Sequence, residues 1–210
     1  MSSIVVAGDT SGTITIAAPA VAGSGTLTLP VATDTLVGKA TTDTLTNKSI
    51  AATQLTGTIA AAALPAGSVL QVVQGTKLDS ATTTSTAFGD ITGLSVSITP
   101  RSTANKILVL ATLGSLSNTV GNNTINLLRD STTIAQPSTG TVPGTINHYP
   151  SATGLAINSN ISWLDSPSSV SSITYKFQWK VDGGTGNLNK HPTNANYNSV
   201  SSITVMEIQG

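Results

Sequence analysis

From Ser172 to Val181 the chain alternates without a break. Ile173, Tyr175, Phe177, Trp179 and Val181 occupy one parity, and Thr174, Lys176, Gln178 and Lys180 the other. Successive side chains on a strand point to opposite faces, so the pattern predicts an antiparallel strand with one buried face and one wet, basic face. Three of the seven aromatic residues sit here, and aromatic side chains bury the largest areas, so the core is expected to centre on this stretch. Between turn signals, further strands are predicted at 69–74, 94–99, 106–113, 124–129, 155–164 and 203–208, with shorter pieces near 84–88 and 132–135. This spacing predicts an all-β fold: an antiparallel β-sandwich, jelly-roll-like. Leu155, Ile157, Ile161 and Trp163 share a parity, which makes that strand the expected packing partner of 173–181. The run 107–113 is apolar at both parities, so one face is expected on the core and the other against a neighbouring copy of the chain.

The first third reads differently. From Gly12 to Gly67 there is no aromatic residue, and short phrases recur: Gly12-Thr-Ile-Thr-Ile, Gly25-Thr-Leu-Thr-Leu-Pro30 and Gly57-Thr-Ile. Alternating Thr with Ile or Leu makes short strands, and Gly, Pro, Asp and Asn punctuate them. Such thin apolar stripes bury too little area to offset backbone ordering at about 1–2 kcal/mol per residue. An extended arm that leans on other copies, as in an intertwined homotrimer, is therefore expected over 1–66, followed by a knob over 67–210. Over 59–64, Ile-Ala-Ala-Ala-Ala-Leu admits a short helix, confined by Gly57 and by Pro65-Ala-Gly67.

Charge narrows the function classes. Nine basic and nine acidic residues cancel, and only 9% of the chain is charged, against about 25% in ordinary soluble domains. With no basic surplus to hold phosphates, nucleic-acid binding lacks its main electrostatic drive. The polar surface is mostly hydroxyl, with 35 Thr and 26 Ser. Low charge suits a chain that covers much of its surface against copies of itself or within an assembly. Cysteine is absent, which removes disulfides, thiol catalysis and thiolate metal sites. No apolar run approaches the roughly 20 residues of a membrane span, and the first residues lack the basic region of a secretory signal. Neither membrane insertion nor secretory export is expected.

One phrase carries a resemblance. Asp34-Thr-Leu-Val-Gly-Lys39 is echoed nine residues later by Asp43-Thr-Leu-Thr-Asn-Lys48. With Gly25–Pro30 before it, this passage resembles the N-terminal region of tailed-bacteriophage fibre and virion structural proteins, over roughly residues 12–66. The resemblance implies a trimeric appendage, assembled in the host cytoplasm and carried on the virion. Its N-terminal part would dock to other virion proteins, and its knob would face outward to a host receptor. Thr42, Asp43, Thr44, Leu45, Thr46, Asn47 and Lys48, the core of the phrase, are the docking candidates. Tail fibre, head fibre and capsid decoration or cement protein all remain open, since the chain is short and lacks a long shaft of repeats.

The long connections 136–153 and 182–199 hold the other candidates, and loops beyond about 12–15 residues are usually functional or disordered. His148, Tyr149, His191, Asn194, Asn196 and Tyr197 suit a receptor patch for a cell-surface glycan, where a ring packs on the sugar face and amides read hydroxyls. The alternative is that these are solvated loops anchored by tyrosine. Catalytic chemistry is thin. Glycoside cleavage needs two carboxyl groups, but Glu207 is the sole glutamate, and the aspartates fall mostly at turns, where Asp bonds its own backbone. There is no G-x-S-x-G elbow. His148 and His191 stand 43 positions apart without zinc-binding spacing, although three copies could bring one His each to a common axis. No enzyme, metal or cofactor is expected.

Overall fold

A computed structural model describes residues 3–7, 10–17, 21, 24, 31, 49–51, 53, 57, 59–149, 155–194 and 196–210. The docking candidates 42–48 lie outside the described residues. The chain divides into two compact units, Met1–Thr56 and Gly57–Gly210.

In the first unit, β1 (Ser3–Ala7) and β2 (Thr13–Ala17) form an antiparallel pair in which Ile4 faces Ile16 and Val6 faces Ile14. Gly12 at φ 80 makes the return, a conformation glycine adopts without steric cost. Ile4, Val5, Val6 and Ile16 are all more than half exposed. A two-stranded hairpin is marginally stable by itself in water, so its apolar side chains contribute little until something covers them.

The second unit opens with a single 3-10 turn at Ala61–Ala63. Pro65 follows and Leu64 is already extended, so the alanine run has no room for the several turns that make an α-helix self-supporting. Eight principal strands then follow: β3 (Val69–Lys77), β5 (Gly89–Ile98), β6 (Lys106–Asn118), β7 (Asn123–Arg129), β8 (Thr132–Ile134), β10 (Ala156–Asp165), β11 (Ile173–Val181) and β13 (Ser201–Ile208). Three short ones join them: β4 (Ala81–Thr83), β9 (Ile146–His148) and β12 (Gly186–Leu188). One sheet runs β3-β13-β6-β10 and the other β5-β11-β7-β8, antiparallel throughout. Counting the principal strands one to eight, the orders are 1-8-3-6 and 2-7-4-5, the two interleaved Greek keys of a jelly roll.

β11 is the centre of the second sheet. Tyr175 and Phe177 are fully buried, with Ile173, Trp179 and Val181 close to it, and Ile173, Tyr175, Phe177 and Trp179 meet Ile107, Val109, Leu113, Ile203 and Val205 of the opposite sheet in one core. In β6, Ser115 adopts φ 40 and the pairing with β10 slips between Ile157 and Ser159. The bulge changes parity, so Leu113 and Leu116 both point into the core. At one side the sheets close tightly, because a Cβ at Gly75 would lie 2.3 Å from the Ser95 carbonyl oxygen.

The other side stays open. β10 pairs with β6, on the sheet opposite β11, and forms the edge. Its predicted apolar parity is only partly covered: Ile161 packs on the core, while Leu155, Ile157 and Trp163 remain 40%, 38% and 41% exposed. An edge strand lacks a neighbour on one flank, which periodicity within the strand does not reveal. The stretch 84–88 is not a strand; β4 ends at Thr83, and the Ser85 hydroxyl instead bonds the Ala87 backbone in a tight turn.

Candidate functional site

Strand register places the three longest connections of the sandwich, together with the four-residue link 119–122, at one end. β3 ends opposite the start of β13, β7 starts opposite the end of β11, and β10 starts opposite the far end of β6. The connections 78–88, 119–122, 135–155 and 182–200 therefore converge there. The chain enters at the other end, where the Gly67 N–H donates to the Gln209 carbonyl and the Gln209 N–H to the Ser68 carbonyl, both at 2.8 Å.

Buried loop backbone must find partners away from water, and here short amides supply them. Asn189, fully buried at φ 61, donates from Nδ2 to the carbonyls of Lys77 (2.9 Å) and Asp79 (3.0 Å) and accepts from the Ser201 hydroxyl at 2.6 Å. Its N–H reaches the Gly114 carbonyl at 2.9 Å. One side chain thus ties the 182–200 connection to 78–88 and to the start of β13, because an amide carries donors and an acceptor on a short stem. Asn118 ties 119–122 to the same 182–200 connection, donating to the carbonyls of Asn122 and Gly183 and accepting from the Val120 N–H. Asn123 donates to the Ser117 carbonyl at 2.9 Å. Asp182 then receives the backbone and side-chain N–H groups of Asn122. The loop end is a hydrogen-bonded frame whose shape is set before any ligand arrives.

The candidate receptor residues sit on this frame. His191, Asn194, Asn196 and Tyr197 share one loop, closed at its base by the bridge between Lys190 and Asn198. The His191 N–H donates to the Tyr197 carbonyl at 2.9 Å, the Tyr197 N–H to the Asn194 carbonyl at 3.2 Å, and the Asn196 N–H to Asn194 Oδ1 at 3.0 Å. The rings of His191 and Tyr197 meet edge to face with centroids 6.2 Å apart, and Tyr197 is 67% exposed. Tyr149 is 72% exposed at the same end.

His148, one residue before Tyr149, turns inward instead. It pairs with Asn123 across β9 and β7, is buried, and has Nδ1 3.4 Å from Asn123 Nδ2. That contact makes Nδ1 the acceptor and leaves the ring proton on Nε2. Burial pushes its pKa below the usual imidazole value, so it is held neutral.

At the far end Glu207 is fully buried and receives Asn105 Nδ2 (2.6 Å), the Arg101 N–H (2.6 Å) and Gln71 Nε2 (2.7 Å). Burial raises its pKa, but these three hydrogen bonds outweigh burial and hold it below the ordinary carboxyl value. Its role is to pin the 99–105 connection. Among the described residues, no group of three or more His, Cys, Asp or Glu side chains is placed to hold a metal ion.

Sequence reading missed the asparagine frame, although the density of Asn in 118–126 and 187–198 was its signal. Comparison with known protein families and with curated proteins finds no match to this chain.

Proposed function

We propose that the chain is a structural protein of a tailed-bacteriophage virion: a short homotrimeric fibre whose N-terminal arm docks to the particle and whose knob contacts a host-surface glycan. The observation that carries this reading is the polarity of the knob. The three longest connections, with Tyr149, His191 and Tyr197, lie at the end opposite the one where the chain enters β3. A fibre tip needs that arrangement. Support also comes from the phrase at 34–48, with its likeness to phage fibre arms. The mechanism is geometric: exposed tyrosine rings on a rigid frame bind sugar faces weakly, and three copies per fibre multiply weak binding through effective concentration.

A capsid decoration or cement role, without receptor binding, is favoured by one feature. The 190–198 loop spends many of its polar groups on itself, as the His191, Asn194 and Tyr197 bonds show. The readings separate in one experiment. Purified chain is added to host cells before particles that carry it, and adsorption is counted. Blocked adsorption supports the fibre tip; unchanged adsorption, with fragile particles when the chain is deleted, overturns it for the cement role.

A further inference from the structure

The two outer faces of the sandwich differ in kind. On β5 and β11 the outward side chains carry charge, with Lys176 Nζ and Gln178 Nε2 bonding the two oxygens of Asp90 at 2.8 and 2.7 Å, while the outward residues of β7, Thr124, Asn126 and Leu128, are buried. On the β3-β13-β6-β10 sheet, Val72 pairs with Met206, Met206 with Leu108, and Leu108 with Leu164. Four large apolar side chains thus form one continuous row across four strands, with Val72 55% and Leu164 50% exposed. Leu110 stands in the next row. Beside it, Thr112, Asn160, Ser162, Ser202 and Thr204 line a groove of about 420 Å3. On the core-facing side of β10, Ile157 and Trp163 are left part-exposed at the open edge, where the strand has no second neighbour among the described residues.

We infer that this face and the β10 edge are the surface through which copies of the chain associate, a proposal that rests on the trimeric reading above. Three observations select a second copy as the occupant. First, the paired positions from Val72, Gln74 and Thr76 across to Leu164, Ser162 and Asn160 carry no charged residue. A neutral face of hydroxyls, amides and aliphatic groups suits the equally uncharged β10 edge of another copy, Ala156 to Leu164, whereas a charged partner would leave its ions desolvated and unpaired. Second, Leu108 and Leu110 are apolar on the side of β6 away from the core, although a solvent-facing antiparallel strand needs only polar residues there. Third, the face needs a supplement. Four strands about 4.8 Å apart and about six residues at about 3.3 Å each make an uncharged face of about 400 Å2, half of the roughly 800 Å2 that each partner of a stable complex buries. In a closed three-fold arrangement each chain gives its sheet face to one neighbour and its β10 edge to the other, so that every copy is held by two contacts.

The native chain has no cysteine, so single thiols report directly. Val72→Cys, Met206→Cys and Leu164→Cys are compared in the full-length chain with Ser97→Cys on the charged sheet, alongside sedimentation analysis and thermal melting. The expected result is a trimer in which the first three thiols react with maleimide several-fold more slowly than Cys at 97, and equally fast once dilution dissociates it. Met206→Lys is expected to weaken assembly about a hundredfold or more, from the cost of burying an unpaired charge. Fast labelling of all four thiols in a species of trimer mass overturns the assignment of this face while leaving the homotrimeric fibre intact. A monomer at every attainable concentration overturns both the interface and the trimer. Slow labelling in a species of monomer mass also overturns it, since the chain's own arm would then cover the face.

Discussion

The Tyr175 hydroxyl on β11 donates a 2.7 Å hydrogen bond to Oδ2 of Asp165 on β10, joining the two sheets through the core. Arg129 Nη1 on β7 reaches both oxygens of the same carboxylate at 2.9 Å. Tyr175 is fully buried, and burial first, then the bond to Asp165, pushes its ionisation above the ordinary phenol range. Tyr175→Phe is expected to destabilise the knob by about 1.5–3 kcal/mol, the worth of a hydrogen bond to a charged group. Asp165→Ala should cost more, because it strands the Arg129 cation. Urea unfolding of both variants measures the order; equal stability of Tyr175→Phe and wild type would show that the bond adds nothing.

Acid stability should have a component from Glu207. Its folded pKa lies below the ordinary value of 4.5, so its stabilisation is full above that value and is lost as pH falls through the folded pKa. Glu207→Gln keeps an acceptor towards Asn105 and Arg101 but sets a donor amide against Gln71 Nε2 and removes the charge, with an expected loss of about 1–3 kcal/mol near neutrality. The difference between variant and wild type should shrink on acidification. A constant difference across the acid range refutes the assignment.

His148 acts in a higher window. Its folded pKa is depressed below 6.5 by burial, so the folded state binds fewer protons than the unfolded chain. Stability is therefore complete above 6.5 and falls as pH drops below it towards the folded pKa. His148→Leu should flatten this part of the profile, whatever its effect on stability at neutral pH. Denaturation midpoints recorded at closely spaced pH values for both proteins provide the check.

Frame and surface should separate by mutation at the loop end. Asn189→Ala removes the bonds to Lys77, Asp79 and Ser201 and places Ala at φ 61. A loss of about 3 kcal/mol is expected, with faster amide exchange in the loops it joins. Tyr197→Ala and Tyr149→Ala, at exposed positions, should stay within about 0.5 kcal/mol of wild type. In the adsorption assay those two should lose inhibition. If they inhibit as well as wild type, the tyrosines are not the receptor contacts.

Much of the knob was legible because a period of two assigns faces without reference to anything distant. Ile173 to Val181 alternates, and its apolar set is the buried set. The run at 107–113 is apolar at both parities, and Leu108 and Leu110 lie on the side away from the core. The same rule places Trp163 on the core-facing side of β10, yet it stands 41% exposed. Parity says which way a side chain points, not whether another strand lies over it.

The candidate site shows the same division. That Asn, Tyr and His gather in long connections is plain in the chain order. Only the folded topology shows that four connections converge on one end, that Asn189 and Asn118 bind them together, and that Tyr149 faces out while the adjacent His148 faces Asn123. Local chemistry determined the all-β character, the inward faces and the punctuated first third, since alternation, turn residues and missing bulk act over a few residues. Strand partners, the open β10 edge and the meeting of distant loops were decided by the tertiary structure, because they depend on contacts between segments more than a hundred residues apart, such as Gln71 and Glu207.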